Sequence, residues 1–173
     1  VQTCALPIFG GNKLPKLRLP IAFLMLAIAV LALPLIASAD NQWGKYAWPT
    51  DGGPVLTLGN NLDTLNWDAS LMIANVEWNK SKVINNSIVP GRTNAIDCNP
   101  ATGEVEVCNS EYGVNGWLGI AGIWIAKGKQ ITRGYVKVND SYFKTAYYNN
   151  SDWRELVMCQ EVEIGRASCR ERV

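Results

Sequence analysis

The sequence predicts an α+β fold in which a mixed β-sheet packs against two helices. Two segments repeat apolar residues at helical spacing, one within residues 62–84 and one from Ser151 to Val162. The chain between them consists of short, β-branched stretches separated by turn residues, which is typical of strands. The predicted order is therefore strand, helix, several strands and a second helix.

The first strand and the first helix follow a lead-in that is rich in Trp, Gly and Pro. The stretch "VLTLGNNL" at residues 55–62 is short, branched and alternating, which predicts a strand. The next segment carries apolar residues at the spacing of one helix face, namely Trp67, Leu71, Ala74 and Trp78. Asp63 or Asp68 is the expected N-terminal cap of this helix.

The middle of the chain is expected to be rich in β-structure. Residues 85–93, "NNSIVPGRT", are predicted to form a loop. Four strands are predicted to follow it, near Asn94–Cys98, Glu104–Cys108, Leu118–Ala126 and Ile131–Val138. The second helix is expected to begin at Ser151, a good N-cap, with Asp152 placed favourably in its first turn.

Both extreme ends of the chain match translated sequencing adapters. The last eleven residues, Glu163–Val173, match the translation of a common short-read adapter, and Val1–Ile8 match the opposing adapter in the same way. Segments of this kind are set aside in reasoning about a fold. The native part is therefore expected to run from about Phe9 to Val162, as a fragment.

Residues 9–39 have the order of a secretory signal peptide. Three positive charges precede a mostly apolar run, Ile21–Ile36, which ends in the small residues Ala37-Ser38-Ala39. The alternative is a membrane anchor, but sixteen residues interrupted by Pro34 are short for a span of about 20. We expect cleavage after Ala39 and a secreted, extracellular or periplasmic product without a stable membrane anchor.

The remaining body, residues 40–162, has a length that suits one small domain or most of a larger one. It is mildly acidic and has no cluster of Lys and Arg, so nucleic-acid binding is not expected. The chain contains seven Trp and six Tyr, which is enough large apolar surface to indicate a globular core rather than disorder.

Three cysteines lie between the two adapter-like ends. Turn residues separate Cys98 from Cys108 in "CNPATGEVEVC", so these two could face each other across a hairpin and form a disulfide. Cys159 is then unpaired. An odd cysteine in an exported protein indicates that a partner is missing.

The stretches "NGWLGIAGIWIAKGKQITRGYVKVNDSYF" and "WRELVMCQEV" resemble the catalytic domain of matrixin-like metzincin zinc peptidases. That family carries the motif HExxHxxGxxH, whose histidines bind zinc and whose Glu is the general base for the zinc-bound water. The resemblance implies a metzincin-like N-terminal subdomain that is incomplete, cut inside its active-site helix. It implies a parent protein that is a secreted endopeptidase acting on peptide or protein substrates.

The resemblance assigns Glu161 as the general base and puts Gln160 at the first zinc ligand. Glutamine is a poor zinc ligand, and the chain contains no His. Either this branch of the family tolerates Gln160, with Cys159 or another group assisting zinc, or the protein is a degenerate relative. The remaining motif positions hold adapter-like residues, Ile164, Ala167 and Arg170. We therefore expect zinc only in the parent protein and an inactive chain as written. From the residues alone, Gln160 and Glu161 equally suit a solvated helix face.

The resemblance also implies roles for two segments upstream. Leu118, Gly119, Ile120 and Ala121 resemble the edge strand that pairs with an extended substrate. The alternative is a packed strand with no such role. In some relatives an acidic residue near the position of Asp140 belongs to a structural cation loop, which leaves a structural calcium open. The alternative for Asp140 is a turn residue that caps its own backbone.

A second hypothesis comes from a different class of protein. The chain could be an exported, non-catalytic binding module associated with glycans or the cell envelope. Trp43, Trp48 and Trp117 would then be flat apolar platforms on its surface. Such a module needs no catalytic group.

Overall fold

The computed structural model describes residues 2–5, 46–49, 55–63, 66–80 and 85–166. The predicted signal peptide lies outside these residues. The described part contains a six-stranded sheet, whose strands are β1 (Gln2–Ala5), β2 (Val55–Asn61), β3 (Asn85–Pro90), β4 (Glu104–Ser110), β5 (Gly119–Ile125) and β6 (Ile131–Asn139). The helices are α1 (Trp67–Trp78), α2 (Asp140–Phe143) and α3 (Ser151–Arg166).

The sheet is mixed, as predicted. The strand order is β1-β5-β6-β4-β2-β3. Strands β3, β2, β4 and β6 run parallel to one another, whereas β5 pairs antiparallel with β6 and with β1. Parallel neighbours need a crossover connection, and α1 provides it between β2 and β3. The strand β1 lies within the adapter-like segment at the N-terminus.

One face of the sheet packs against α1 and α3, and the core lies between these layers. Alternate residues of the central strands point into it, and the predicted helix face of α1 supplies Trp67, Leu71 and Ala74, all fully buried. The Trp67 and Phe143 rings meet edge to face, with centroids 4.6 Å apart. The coarse prediction of an α+β fold with a mixed sheet and helices is therefore confirmed.

The start of α1 differs from the prediction. Neither Asp63 nor Asp68 caps the helix, because the N-cap is Asn66, in the left-handed conformation with φ at 58° and no side-chain cap bond. Trp67 donates its Nε1–H to the buried Asp140 carboxylate at 2.8 Å. Tertiary contacts of Trp67, rather than a local cap, therefore fix where this helix begins.

The segment predicted as a loop at residues 85–93 contains the strand β3. It pairs parallel with β2 in register from Val55 and Asn85 onward. The Asn79 side chain at the end of α1 pairs with the Asn86 backbone, accepting from its N–H at 2.7 Å and donating to its carbonyl at 2.9 Å. The polar composition of this segment hid a strand that is paired on one side only.

The predicted strand at Asn94–Cys98 is wrong, because these residues form a turn. The Asn94 side chain accepts a hydrogen bond from the backbone N–H of Asp97 at 2.8 Å, and the Cys98 N–H donates to the Asn94 carbonyl at 2.9 Å. Asn side chains stabilise turns of this kind. Cys98 itself has a positive φ of 47°, which no strand would allow.

Candidate functional site

The helix α3 carries the predicted catalytic residue, and its first turn is set by Asn150. The Asn150 Oδ1 accepts a hydrogen bond from the Trp153 backbone N–H at 3.0 Å, so Asn150 is the cap. The prediction that Ser151 caps this helix is wrong by one residue. Asp152 lies in the first turn as expected, where the helix dipole favours a negative charge.

Glu161 lies on the face of α3 that packs onto the sheet. Its neighbours on this face, Val157, Met158 and Val162, are fully buried, and their spacing is that of one helix stripe. Glu161 is itself 0% exposed. It therefore does not lie on a solvated helix face, which was the alternative for this residue.

The carboxyl group of Glu161 is buried without a hydrogen-bond partner of normal geometry among the described residues. Burial disfavours the charged form and raises the pKa of Glu161 to about 8. The backbone N–H of Ala121 is close enough to oppose this rise in pKa, but it does not make a well-formed bond. The group is therefore expected to be largely protonated at neutral pH.

Gln160, the residue at the first zinc-ligand position, is half-buried. Neighbouring residues of a helix leave it about 100° apart, so its side chain departs in a different direction from that of Glu161. No group of three His, Cys, Asp or Glu side chains that could hold a metal occurs in the described part of the chain. A zinc site therefore does not fit the residues present.

Cys159 is poorly suited to supply the zinc ligand that Gln160 does not provide. It is a free, half-buried thiol on α3. Burial raises the pKa of Cys159, and the nearby carboxylates of Glu77 and Glu155 raise it further. A metal binds the thiolate rather than the thiol, so this environment works against Cys159 as a ligand.

The predicted substrate-binding residues lie at and just before the start of β5. Leu118 is buried and precedes the strand, and its carbonyl accepts the Asn139 N–H at 2.9 Å. Gly119, Ile120 and Ala121 pair with β6 on one side. On the other side, Ile120 and Ala121 pair with the N-terminal strand β1. The edge of β5 that faces away from β6 thus accepts an extended antiparallel segment.

Glu161 and β5 are in direct contact. A β-carbon built on Gly119 would lie 2.6 Å from the Glu161 Cγ and 3.1 Å from its Cδ. The carboxyl therefore rests on the backbone of β5, between Gly119 and Ala121. The structure brings the predicted general base and the predicted substrate strand together. Gln160 has no group of metal-binding side chains around it among the described residues.

The predicted disulfide between Cys98 and Cys108 is present, with Cα atoms 6.0 Å apart. It does not cross a hairpin. Cys98 follows the Asn94 turn and Cys108 lies in β4, so the bond fixes the loop before β4 onto that strand. Both cysteines are fully buried.

Asp140 begins the short helix α2 and is buried. Its carboxylate accepts hydrogen bonds from Trp67 Nε1 and from Asn109 Nδ2, each at 2.8 Å. It therefore links α1, β4 and the end of β6. Sequence reasoning missed this role because the three residues are far apart along the chain, and only the fold brings them together.

The proposed tryptophan platforms are not a set of exposed rings. Trp48 is buried, Trp117 is half-buried with its ring 5.4 Å from that of Tyr112, and Trp43 lies outside the described residues. A different aromatic surface occurs near the start of α3, where Tyr147 is 69% exposed and its ring lies 6.1 Å from that of Trp153. No sequence pattern singled out this surface.

No helix in the described part of the chain is long and apolar enough to cross a membrane. Comparisons with family models, with curated proteins and with solved structures found no match to this chain. A proposal about its function therefore depends on the resemblance in the sequence and on the contact between Glu161 and β5.

Proposed function

We propose that this chain is part of an exported metalloendopeptidase in which Glu161 is the general base beside a substrate-binding edge strand. The observation that carries the proposal is the burial of the Glu161 carboxyl against Gly119 and Ala121. An ionised carboxyl without a partner is costly to bury. Burial of an acidic group beside a strand that can pair with a peptide supports a role in an active site.

The electrostatic environment of Glu161 suits proton transfer. A general base or acid works best when its pKa is near the operating pH, and burial raises the pKa of Glu161 to about 8. Strongly shifted carboxyls occur preferentially at functional sites. The residue can hold a proton and exchange it at its carboxyl oxygens.

The edge of β5 that faces away from β6 supports the proposed binding of a peptide substrate. An extended peptide binds such an edge through main-chain hydrogen bonds, which do not depend on its sequence. The segment Gln2–Ala5 pairs there from Gln2 opposite Ile123 to Ala5 opposite Ile120. Because this segment matches an adapter translation, its pairing reflects the capacity of the β5 edge rather than a segment adapted to it.

The chain as written should not hydrolyse peptides. It contains no His, Gln160 is a poor ligand, and the described residues offer no other metal cluster. Zinc would supply an activated water in the parent protein, and the ligands for it would have to come from sequence that this chain does not contain.

The uninterrupted gene provides the test. We expect the codons after Val162 to encode a His at position 164, a Gly at 167 and a His at 170, which would supply every remaining motif position except the first His, where Gln160 stands. A natural reading frame that continues without a His or carboxylate cluster within about 15 residues, or that truly ends in "GRASCRERV", would refute the peptidase proposal.

A second candidate function, a non-catalytic binding module, is favoured by one observation. A surface depression of about 280 Å³ is lined by Asn150, Asp152, Trp153 and Leu156, next to the exposed Tyr147. Aromatic rings beside amide and carboxylate groups suit a saccharide. Titration with soluble oligosaccharides should then change the tryptophan fluorescence, and Trp153→Ala should abolish the change.

A further inference from the structure

The strand β5 contains two glycines, Gly119 and Gly122, that lie on opposite faces of the sheet. Residues three positions apart in a strand point to opposite faces. Neither glycine has a positive φ, so the backbone conformation does not require glycine at either position. The reason for each glycine must therefore lie in what approaches the strand.

On the helix side, the space above Gly119 is filled by α3. An added β-carbon at Gly119 would lie 2.6 Å from the Glu161 Cγ and 2.7 Å from the Val157 Cγ1. Distances below 3.0 Å are not tolerated between such atoms, so α3 or the Glu161 side chain would have to move. On the other face, the atoms nearest to a β-carbon at Gly122 would belong to the Tyr135 side chain, with Cε1 at 2.5 Å.

The position of the Glu161 carboxyl is set by packing rather than by hydrogen bonds. Neither of its oxygens has a partner of normal geometry among the described residues. A side chain that is held only by its walls follows any change in those walls. A β-carbon added at Gly119 would lie 3.1 Å from the Glu161 Cδ, inside the space that the side chain now occupies.

We propose that Gly119 is a positioning residue, whose missing side chain leaves the volume that sets the Glu161 carboxyl against β5. This inference rests on the proposed function, since only there does the place of the carboxyl matter for a reaction. Gly119 thereby places the general base beside the backbone that would bind the substrate, whereas Gly122 lies on the other face, against Tyr135.

A double-mutant cycle in this chain tests the proposal. Gly119→Ala, Glu161→Ala and the double variant are compared by urea unfolding, with Gly122→Ala and its Glu161→Ala combination as the matched control. Gly119→Ala should raise the unfolding equilibrium constant in both backgrounds. We expect the factor of this rise to be at least about fivefold smaller when Glu161 is already Ala. The Gly122→Ala effect should be the same in both backgrounds.

A second measurement reports position rather than stability. Nuclear Overhauser contacts between the Glu161 side-chain protons and the Ala121 amide proton should be lost in Gly119→Ala and kept in Gly122→Ala. If Gly119→Ala does not fold, folding of the double variant with Glu161→Ala supports the proposal, and failure of both overturns it. Additive effects together with unchanged contacts would also overturn it.

These outcomes are separate from those for the proposed function. If Gly119→Ala and Glu161→Ala are coupled but the uninterrupted gene lacks the metal motif, the packing of Glu161 against Gly119 stands and the peptidase proposal is refuted. A complete metal motif together with additive variants would refute the role of Gly119 alone.

Discussion

At the residue scale, Glu161 combines three properties. It is fully buried, its carboxyl lacks a well-formed partner among the described residues, and it lies on the backbone of a strand whose edge can be paired. A structural carboxylate such as Asp140 differs in the second property, because Trp67 and Asn109 satisfy it. The contrast supports a functional role for Glu161.

Burial of Glu161 predicts a specific pH dependence of stability. Its folded pKa of about 8 lies above the ordinary value of 4.5, so the folded chain binds this proton more tightly than the unfolded chain. The resulting stabilisation is complete below about pH 4.5 and is lost as the pH rises towards about 8. Glu161→Gln should remove this dependence and stabilise the chain relative to the unsubstituted chain. The gain in unfolding free energy should be on the order of 3 kcal/mol larger at pH 8 than at pH 5.

Urea unfolding of both chains across this pH window measures the effect. Glu155→Gln, which removes a carboxylate from the same helix outside the β5 contact, is the matched control for a charge change on α3. If the difference in unfolding free energy between Glu161→Gln and the unsubstituted chain stays constant from pH 5 to pH 8, the carboxyl is solvated.

At the scale of single elements, the start of α3 separates two adjacent capping candidates. Asn150→Ala should lower the unfolding free energy by about 1 kcal/mol, because its side chain accepts the Trp153 N–H. Ser151→Ala should cost less than half of that, since the Ser151 hydroxyl donates to Asp152 instead. Equal costs in urea unfolding would contradict this assignment of the cap.

The disulfide Cys98–Cys108 holds the loop before β4 onto that strand. Replacing both residues by Ala should lower the unfolding free energy by roughly 2–3 kcal/mol, the effect expected for a closed loop of this length. The free Cys159 provides the control, and Cys159→Ser should change stability much less. If the double variant unfolds at the same urea concentration as the unsubstituted chain, the disulfide does not stabilise the fold.

Element types followed from the sequence where one face carried a periodic apolar pattern. Trp67, Leu71 and Ala74 predicted α1 because their spacing is a helix stripe, and all three are buried. The strand β3 was missed because its residues are mostly polar and it pairs on one side only. The turn after Asn94 was taken for a strand because a side-chain hydrogen bond, rather than periodicity, decides it.

At the scale of the whole molecule, the sheet order places the start of β5 beneath α3. The chain leaves the parallel part of the sheet at β4, forms β5 as an antiparallel strand beyond β6, and returns through β6 before α3 crosses back. Composition and spacing cannot predict this order. The resemblance singled out Glu161 and Leu118–Ala121 separately, and the contact between them became visible only in three dimensions.

The resemblance named the candidate site residues, and their roles stay predictions. The absence of His was evident from the sequence, and the described residues offer no substitute metal cluster. The alternation of large and small residues around Gly119 indicates a strand whose backbone is closely approached. That the approaching side chain is Glu161 could not be predicted, because it lies on a helix more than 30 residues later in the chain. Long-range packing of this kind is set by the whole fold rather than by local propensity.

Peptide hydrolysis by the product of the uninterrupted gene tests the central claim most directly. We predict that this protein cleaves an unstructured peptide and that Glu161→Gln lowers kcat by about 10²–10⁴-fold, the contribution of a general base, while Glu155→Gln retains activity. Cleavage that survives Glu161→Gln unchanged, or no cleavage by a folded, zinc-loaded parent protein, would contradict the account.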